Sequence, residues 1–286
     1  MGKIAKDKRD IYYRLAKQKG YRSRSAFKIL QINDYFDIFS ETKYIVDLCA
    51  APGGWSQIAA EKVKDSKIIS VDLQQMAPID GIEIILGDIT SQNTLQQILS
   101  LAEDNLIDLV ICDGAPDVTG FNEFDVYIQS QLVLSALNIS VRMLKEGGIF
   151  ISKLFKGKHT NKILQILKKF FKTVTITKPR ACRNASFESF VVCQEFFINS
   201  EIQEIRDLRN GELNEADLLI LNSLWDNKEV DLDFLNIKLI QVGNDEFDSD
   251  KTYDLECTDY KTILKPVQEP INPPYKFYID NFKGKI

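Results

Sequence analysis

Histidine is almost absent from this 286-residue chain; His159 is the only one. Metal chemistry built on clustered imidazoles therefore has no ligands to draw on, and no metal is expected. The five cysteines (Cys49, Cys112, Cys182, Cys193 and Cys257) are odd in number and form no Cys-x-x-Cys pair. That argues against a disulfide framework or a zinc ribbon, and for a reducing compartment, with the cytoplasm expected. No run of 18 apolar residues occurs, so no membrane span is expected. The start, MGKIAKDKRD, is charged and has no apolar core, so a secretory signal is not expected either. The 14 Gly and 8 Pro carry no period, which excludes a collagen-like or low-complexity chain. What is abundant is material for a core: 44% of residues are hydrophobic, among them 17 Phe and 10 Tyr.

The net charge of −5 hides an uneven distribution. Residues 3–28 carry ten Lys or Arg against Asp7 and Asp10, and residues 153–183 carry ten Lys or Arg and no acid. Residues 201–261 carry 17 acids against six bases. Two basic segments in an acidic protein suggest a footprint for a polyanion. The plainer reading is a pair of solvated helix faces.

Residues 3–38 read as helical. Lys43–Cys49 is a short apolar strand that ends in a turn at Gly53-Gly54, and a helix follows from Trp55 to Lys64. Further strands are expected at Lys67–Asp72, Ile82–Leu86, Leu106–Cys112, Ile149–Phe155, 172–177 and Phe187–Phe196. Helices are expected at 91–103, at 123–145 with a stop at Gly147-Gly148, and at 160–171. Strands and helices that alternate in this way specify an α/β fold, a doubly wound, mostly parallel Rossmann-like sheet with helices on both faces. Phe171–Phe197 has no helix between its two strands, so it is expected to form a hairpin with one antiparallel edge strand. Residues 1–200 are taken as the α/β domain. Residues 201–286 are taken as an acidic extension with one helix near 213–225 and a proline-rich segment at 264–276.

The first strand, turn and helix read DLCAAPGGWSQ (Asp47–Gln57), a weak match to a dinucleotide fingerprint. Ala50, Ala51, Gly53 and Gly54 would let a ligand lie against the backbone. Asp47, Asp72, Asp88 and Asp113 fall at or near the ends of successive strands. One such Asp would be read as a helix cap. Four at the ligand edge suit a molecule with hydroxyls and an amino group better than a phosphate, and S-adenosylmethionine is such a molecule.

DLCAAPGGWSQ, with CDGAPD and SKLFKG behind it, closely resembles the FtsJ family of 2′-O-ribose RNA methyltransferases over about residues 1–200. The segments IAKDKRDIYYRLAKQKGYRSRSAFKILQI and PVQEPINPPYK are similar to the eukaryotic branch that acts on the tRNA anticodon loop, at positions 32 and 34. The resemblance implies that Gly53, Trp55, Asp72, Asp88 and Asp113 contact S-adenosylmethionine. It implies a catalytic set of Lys28, Asp113, Lys153 and Glu188. A ribose hydroxyl is a weak acid, and Lys153, if neutral, can take its proton. Lys28 would depress the pKa of Lys153, Glu188 would oppose that if ionised, and Asp113 would position Lys153. The resemblance also implies accessory subunits, an armadillo-like protein for position 32 and a WD-repeat protein for position 34.

Arg22, Arg24, Lys178, Arg180 and Arg183 are candidate phosphate contacts for tRNA. Tyr13 and Phe27 read as the apolar face of a helix; for Tyr12 and Tyr21, base stacking and core packing stand even. Other readings remain: 2′-O-methylation of another RNA (rRNA or an mRNA cap), or a non-catalytic RNA-binding subunit. A third is base-nitrogen methylation through Asn272-Pro273-Pro274-Tyr275, although that motif belongs after the fourth strand, where CDGAPD stands. Base-carbon chemistry would want a Pro-Cys dipeptide, and none occurs.

Overall fold

A computed structural model of the chain describes residues 10–103, 105–116, 122–198, 203, 237–244, 246–251, 253 and 267–268. Residues 3–9, the expected helix near 213–225, Cys257 and Asn272-Pro273-Pro274-Tyr275 lie outside the described residues.

Two helices replace the single helical stretch expected at the start. α1 (Ile11–Lys19) begins at Asp10, whose carboxylate accepts the Tyr13 N–H at 3.1 Å. It ends at Gly20, which takes the left-handed conformation (φ 74°) and returns its N–H to Ala16. α2 (Ala26–Phe36) follows. Then come β1 (Tyr44–Leu48), α3 (Gly54–Lys62), β2 (Lys67–Asp72), β3 (Ile82–Leu86), α4 (Gln92–Ala102) and β4 (Ile107–Cys112). After them lie α5 (Asn122–Met143), β5 (Leu144–Phe155), α6 (Thr160–Lys168), β6 (Phe171–Pro179), β7 (Glu188–Phe196) and β8 (Lys238–Val242). α5 stops at Met143, and the extended chain begins at once at Leu144. Gly147 (φ 79°) and a register shift opposite Ile107 and Leu109 absorb the turn expected there.

The strands form one sheet in the order β3-β2-β1-β4-β5-β7-β6-β8. β1 to β5 pair in parallel, as expected from the alternation of elements. The expected hairpin supplies the antiparallel strand, β7, but it lies between β5 and β6 rather than at the edge. The edge is β8, from the acidic segment, paired in parallel with β6 from Thr175↔Lys238 to Pro179↔Val242. No periodicity marks β8, because four of its five residues are partly or largely exposed.

Alternate residues of each strand face opposite layers. Val46, Leu48, Val71, Val110 and Leu154 pack beneath α4, α5 and α6. Ile45, Ile68, Leu109, Ile151 and Phe190 pack beneath α2 and α3. Burial on both faces explains why these strands read as continuous apolar runs. The chain order reverses direction across β1 and β4, so a crevice opens beyond the carboxyl ends of β1 to β4.

At the opposite end, Asp108 ties three strands together. Its carboxylate accepts the N–H groups of Lys43 and Tyr44, both at 2.7 Å, and pairs with Lys145 at 2.5 Å. Burial opposes its charge, but these donors outweigh burial and hold the carboxyl below its usual range. Asp108→Ala should cost about 2–4 kcal/mol, because two backbone donors lose their acceptor. A carboxyl with a lowered folded pKa stabilises above the unfolded value of about 3.9 and loses that contribution as pH falls through the folded value. Urea titrations should therefore show the gap between wild type and Asp108→Ala at pH 7 narrowing below about pH 4. A gap independent of pH would remove the charge from this account.

Candidate active site

A cavity of about 420 Å³ lies beyond the ends of β1 to β4. Its floor is the turn Ala50-Ala51-Pro52 and Gly54, its far wall is Leu73 and Gln74, and Lys153 closes the opposite end. The turn is tied to β2: Ala50 N–H donates to Val71 O at 3.0 Å, and Ala51 N–H donates to Asp72 Oδ2 at 2.8 Å. Gly53 (φ 100°) does not line the cavity. A Cβ there would sit 2.8 Å from Met76 Sδ, so it is a residue of close packing behind the turn.

Asp47, Asp72, Asp88 and Asp113 all line this cavity, with different surroundings. Asp72 accepts from Ala51 N–H and Gln74 N–H, one on each oxygen, and partial burial raises its pKa. Asp88 accepts from the N–H and hydroxyl of Thr90, both at 2.8 Å. Asp47 lies within β1 rather than at its end and is fully buried. Its Oδ2 accepts from Ser56 at 2.5 Å, its Oδ1 has no partner, and burial pushes its pKa well up. Trp55 reaches the cavity wall but is only 2% exposed; its indole N–H donates to the carbonyl of Ser25 at 2.9 Å and its ring packs on Phe190.

The four expected catalytic side chains meet at the Lys153 end. Lys153 Nζ pairs with Asp113 Oδ1 at 2.7 Å and donates to the Asp113 carbonyl at 2.7 Å. Lys28, in the first turn of α2, pairs with Glu188 and lies 5.8 Å from the centre of the Phe190 ring. Glu188 begins β7, and only because β7 runs antiparallel does its first residue lie at the same end of the sheet as Asp113. Burial would lower the pKa of Lys153, but the carboxylates of Asp113 and Glu188 outweigh it, and the ammonium is held above its ordinary value. The expectation that Lys28 would depress Lys153 is corrected here: Glu188 neutralises Lys28, and Asp113 holds the proton on Lys153. Burial would likewise raise Asp113, but Lys153, Lys28 and the Ser25 hydroxyl keep it below the usual range.

Two positioning residues carried no signal in the sequence. The Ser25 hydroxyl donates to Asp113 Oδ2 and accepts from Trp55. Gln129, buried on α5, donates to Lys153 O at 2.6 Å and accepts from Phe155 N–H at 3.1 Å, so it clamps β5 around the lysine. Neither residue type is diagnostic, and both act only through tertiary contact.

Most of the candidate phosphate contacts are engaged within the fold. Arg22 donates to the carbonyls of Pro52, Ala77 and Pro78, and Arg24 pairs with Asp10 and donates to Ala181 O. Arg183 pairs with Asp10 at 3.4 Å, and Lys178 donates to Ser186 O at 2.6 Å and Asn184 O at 3.3 Å. Arg180 follows β6 on the inner side of β8, where its N–H donates to Val242 O. Tyr12 is 3% exposed and its hydroxyl bonds to Gln31 and Phe247, so it belongs to the core with Phe27; Tyr21 packs edge-on against Phe27.

Residues 21–196 match the family described as FtsJ-like methyltransferase. A Mus musculus protein named tRNA (cytidine(32)/guanosine(34)-2'-O)-methyltransferase is 42% identical, with 96% of this chain and 85% of that protein covered. A protein of the same name from Schizosaccharomyces pombe is 43% identical, with 100% of this chain and 99% of that one covered. A crystal structure from Plasmodium falciparum, described as a ribosomal RNA methyltransferase, superposes with a TM-score of 0.57 at 28% identity, covering 63% of this chain and 100% of that chain.

Ser25→Ala should destabilise the fold by about 1.5–3 kcal/mol, the usual cost of a hydrogen bond to a charged group. It should also raise the Asp113 pKa, since one donor to the carboxylate is lost. Guanidinium melts and carboxyl-carbon NMR titration read the two effects. Unchanged values in both would show that the hydroxyl does not support Asp113.

Proposed function

The chain belongs to the FtsJ-like methyltransferase family, and we propose that it transfers a methyl group from S-adenosylmethionine to a ribose 2′-hydroxyl of tRNA, in the anticodon loop at positions 32 and/or 34. The observation that carries this reading is the pairing of Lys153 with Asp113 at one end of an acid-lined cavity. The named activity of the relatives supplies the substrate.

The cavity fits that methyl donor. Small residues floor it, so a flat ligand can lie against the backbone. Asp72 keeps lone pairs on both oxygens for vicinal hydroxyls, and Asp88 offers a second acceptor one strand further out. The unpartnered Oδ1 of Asp47 leaves an acceptor for an N–H donor at the floor. Bound there, the donor would supply an electrophilic methyl on a cationic sulfur.

The rest falls to the chain's own residues. Lys153 must give up its proton before it can take one from a ribose hydroxyl. Its proton is held chiefly by Asp113, which also borders the cavity. When Asp113 is shared with a cation in the cavity, its hold on the Lys153 proton weakens and like-charge repulsion favours the neutral amine. Lys28 and Glu188, as a pair beside this site, would orient the nucleotide that carries the hydroxyl. Alignment of hydroxyl, methyl and sulfur supplies the remainder of the rate.

We place the protein with accessory subunits of armadillo-like and WD-repeat type by resemblance to the tRNA branch, and in the cytoplasm because five cysteines without a Cys-x-x-Cys pair fit a reducing compartment. None of the described helices is long and apolar enough to cross a membrane.

Methyl transfer from labelled S-adenosylmethionine to tRNA, with nuclease digestion to locate the label, tests the reading. Label is expected on a 2′-O-methyl nucleoside of the anticodon loop; label on a base nitrogen or on rRNA would overturn it. Lys153→Met should reduce turnover by about a hundred- to ten-thousandfold while S-adenosylmethionine still binds, and unchanged turnover would remove Lys153 from the chemistry. Because the carboxylates raise its pKa, the fraction of neutral Lys153 grows with pH. Turnover should therefore climb from neutral into the alkaline range. A rate that falls over that range would exclude Lys153 as the base.

A further inference from the structure

Beside the catalytic end of β5 and β7 the surface changes character. Among the large apolar side chains that remain exposed, three are aromatics near this edge: Phe187 (38%), Tyr127 (37%) and Phe124 (53%). Phe187 immediately precedes Glu188, and it does not line the cavity. Its ring sits edge-on against Phe155, with centroids 5.5 Å apart, which leaves one side open. Its carbonyl accepts the N–H of Lys156 at 3.1 Å, so the two residues are fixed neighbours.

The turn that carries Phe187 is built rather than loose. Lys178 donates to the carbonyls of Asn184 and Ser186, Asp250 accepts the Asn184 N–H at 2.8 Å, and Ser186 Oγ accepts the Glu188 N–H at 3.1 Å. The next loop, at Gly157, packs so closely on Val126 of α5 that a Cβ would lie 2.7 Å from its Cγ1. Lys156 is exposed, and no carboxylate among the described residues pairs with it. Partial burial first and then the charge of Lys178 hold its ammonium below its ordinary value.

An exposed ring on a rigid turn, with the backbone of a cation that no described carboxylate pairs bonded to it, is the arrangement that receives one unstacked nucleotide. We propose that Phe187 and Lys156 form a nucleotide subsite for single-stranded RNA. The base next to the methylated ribose stacks on Phe187, and its phosphate pairs with Lys156, with Lys178 adding positive potential behind. The proposal rests on the RNA-methyltransferase reading and specifies how that substrate is gripped. It differs from the basic arginines of the N-terminal region, which are engaged inside the fold.

The probe is a fluorescein-labelled RNA hairpin with a tRNA anticodon stem and loop, titrated with the whole chain and read by anisotropy. Phe187→Ala and Phe187→Leu should weaken binding about 5- to 150-fold, the range for one base–aromatic stack. Phe187→Trp should bind as wild type does. Leu keeps apolar packing on Phe155 without a ring face, so it separates stacking from folding; melting temperature and S-adenosylmethionine affinity should stay unchanged in it. Lys156→Gln should reduce the slope of log affinity against log salt by about 0.7. Wild-type affinity in Phe187→Leu, an unchanged salt slope in Lys156→Gln, or absence of hairpin binding by wild type would each overturn the subsite. The label-location assay is independent of this result. Ribose methylation by wild type together with an unaffected Phe187→Leu would leave the function standing and remove the subsite; Phe187-dependent binding without ribose methylation would do the reverse.

Discussion

Burying two lysines at the end of a hydrophobic sheet is unfavourable unless each meets a carboxylate, and the candidate active site is arranged around that constraint. Lys153 meets Asp113 and Lys28 meets Glu188, and each acid also lies within electrostatic reach of the other's partner. The four side chains come from β5, the end of β4, α2 and the start of β7. They can be neighbours only if α2 lies across the sheet and β7 runs against β5. The antiparallel insertion of β7 is thus the topological feature on which the site depends. Removing one member would leave the other charge buried and unmatched, so the ion pairs tie catalysis to the integrity of the sheet edge.

The same pairing, on the proposed chemistry, holds the resting site back. Asp113 keeps the proton on Lys153 and at the same time borders the cavity where a cationic methyl donor would lie. One carboxylate shared between two cations couples occupancy of the cavity to the basicity of the lysine. Such coupling would keep the amine protonated until the donor is in place. Asp47 contributes differently: fully buried and raised in pKa, it adds an acceptor to the floor and less charge than its position in the sequence suggested.

Charge read along the chain proved a poor guide to which cations face a substrate. The N-terminal basic segment is dense in arginine, yet Arg22 and Arg24 bind carbonyls and Asp10 inside the fold. The acidic segment likewise contributes a strand, β8, to the sheet, and it holds the first helix through Tyr12 with Phe247 and Arg14 with Tyr253. Linear charge density records composition, whereas the potential at a surface depends on which side chains are already paired.

The sequence by itself determined the parallel sheet, because strands buried on both faces must be continuous apolar runs and must alternate with amphipathic helices. It determined the small-residue turn after β1 and the acids at or just beyond the ends of β2, β3 and β4, since local chain order alone sets those positions. The likeness to one family pointed to four candidate catalytic side chains, Lys28 in SAFKIL, Asp113 in CDGAPD, Lys153 in ISKLF and Glu188 in SFESF. Tertiary structure decided the rest. Whether Lys153 is charged depends on the distance to Asp113, which comes from another strand. The supports from Ser25 and Gln129, and the entry of β8 at the sheet edge, join residues far apart in the chain. No periodicity or local motif encodes such contacts, because they exist only once the sheet has brought distant segments within hydrogen-bonding reach.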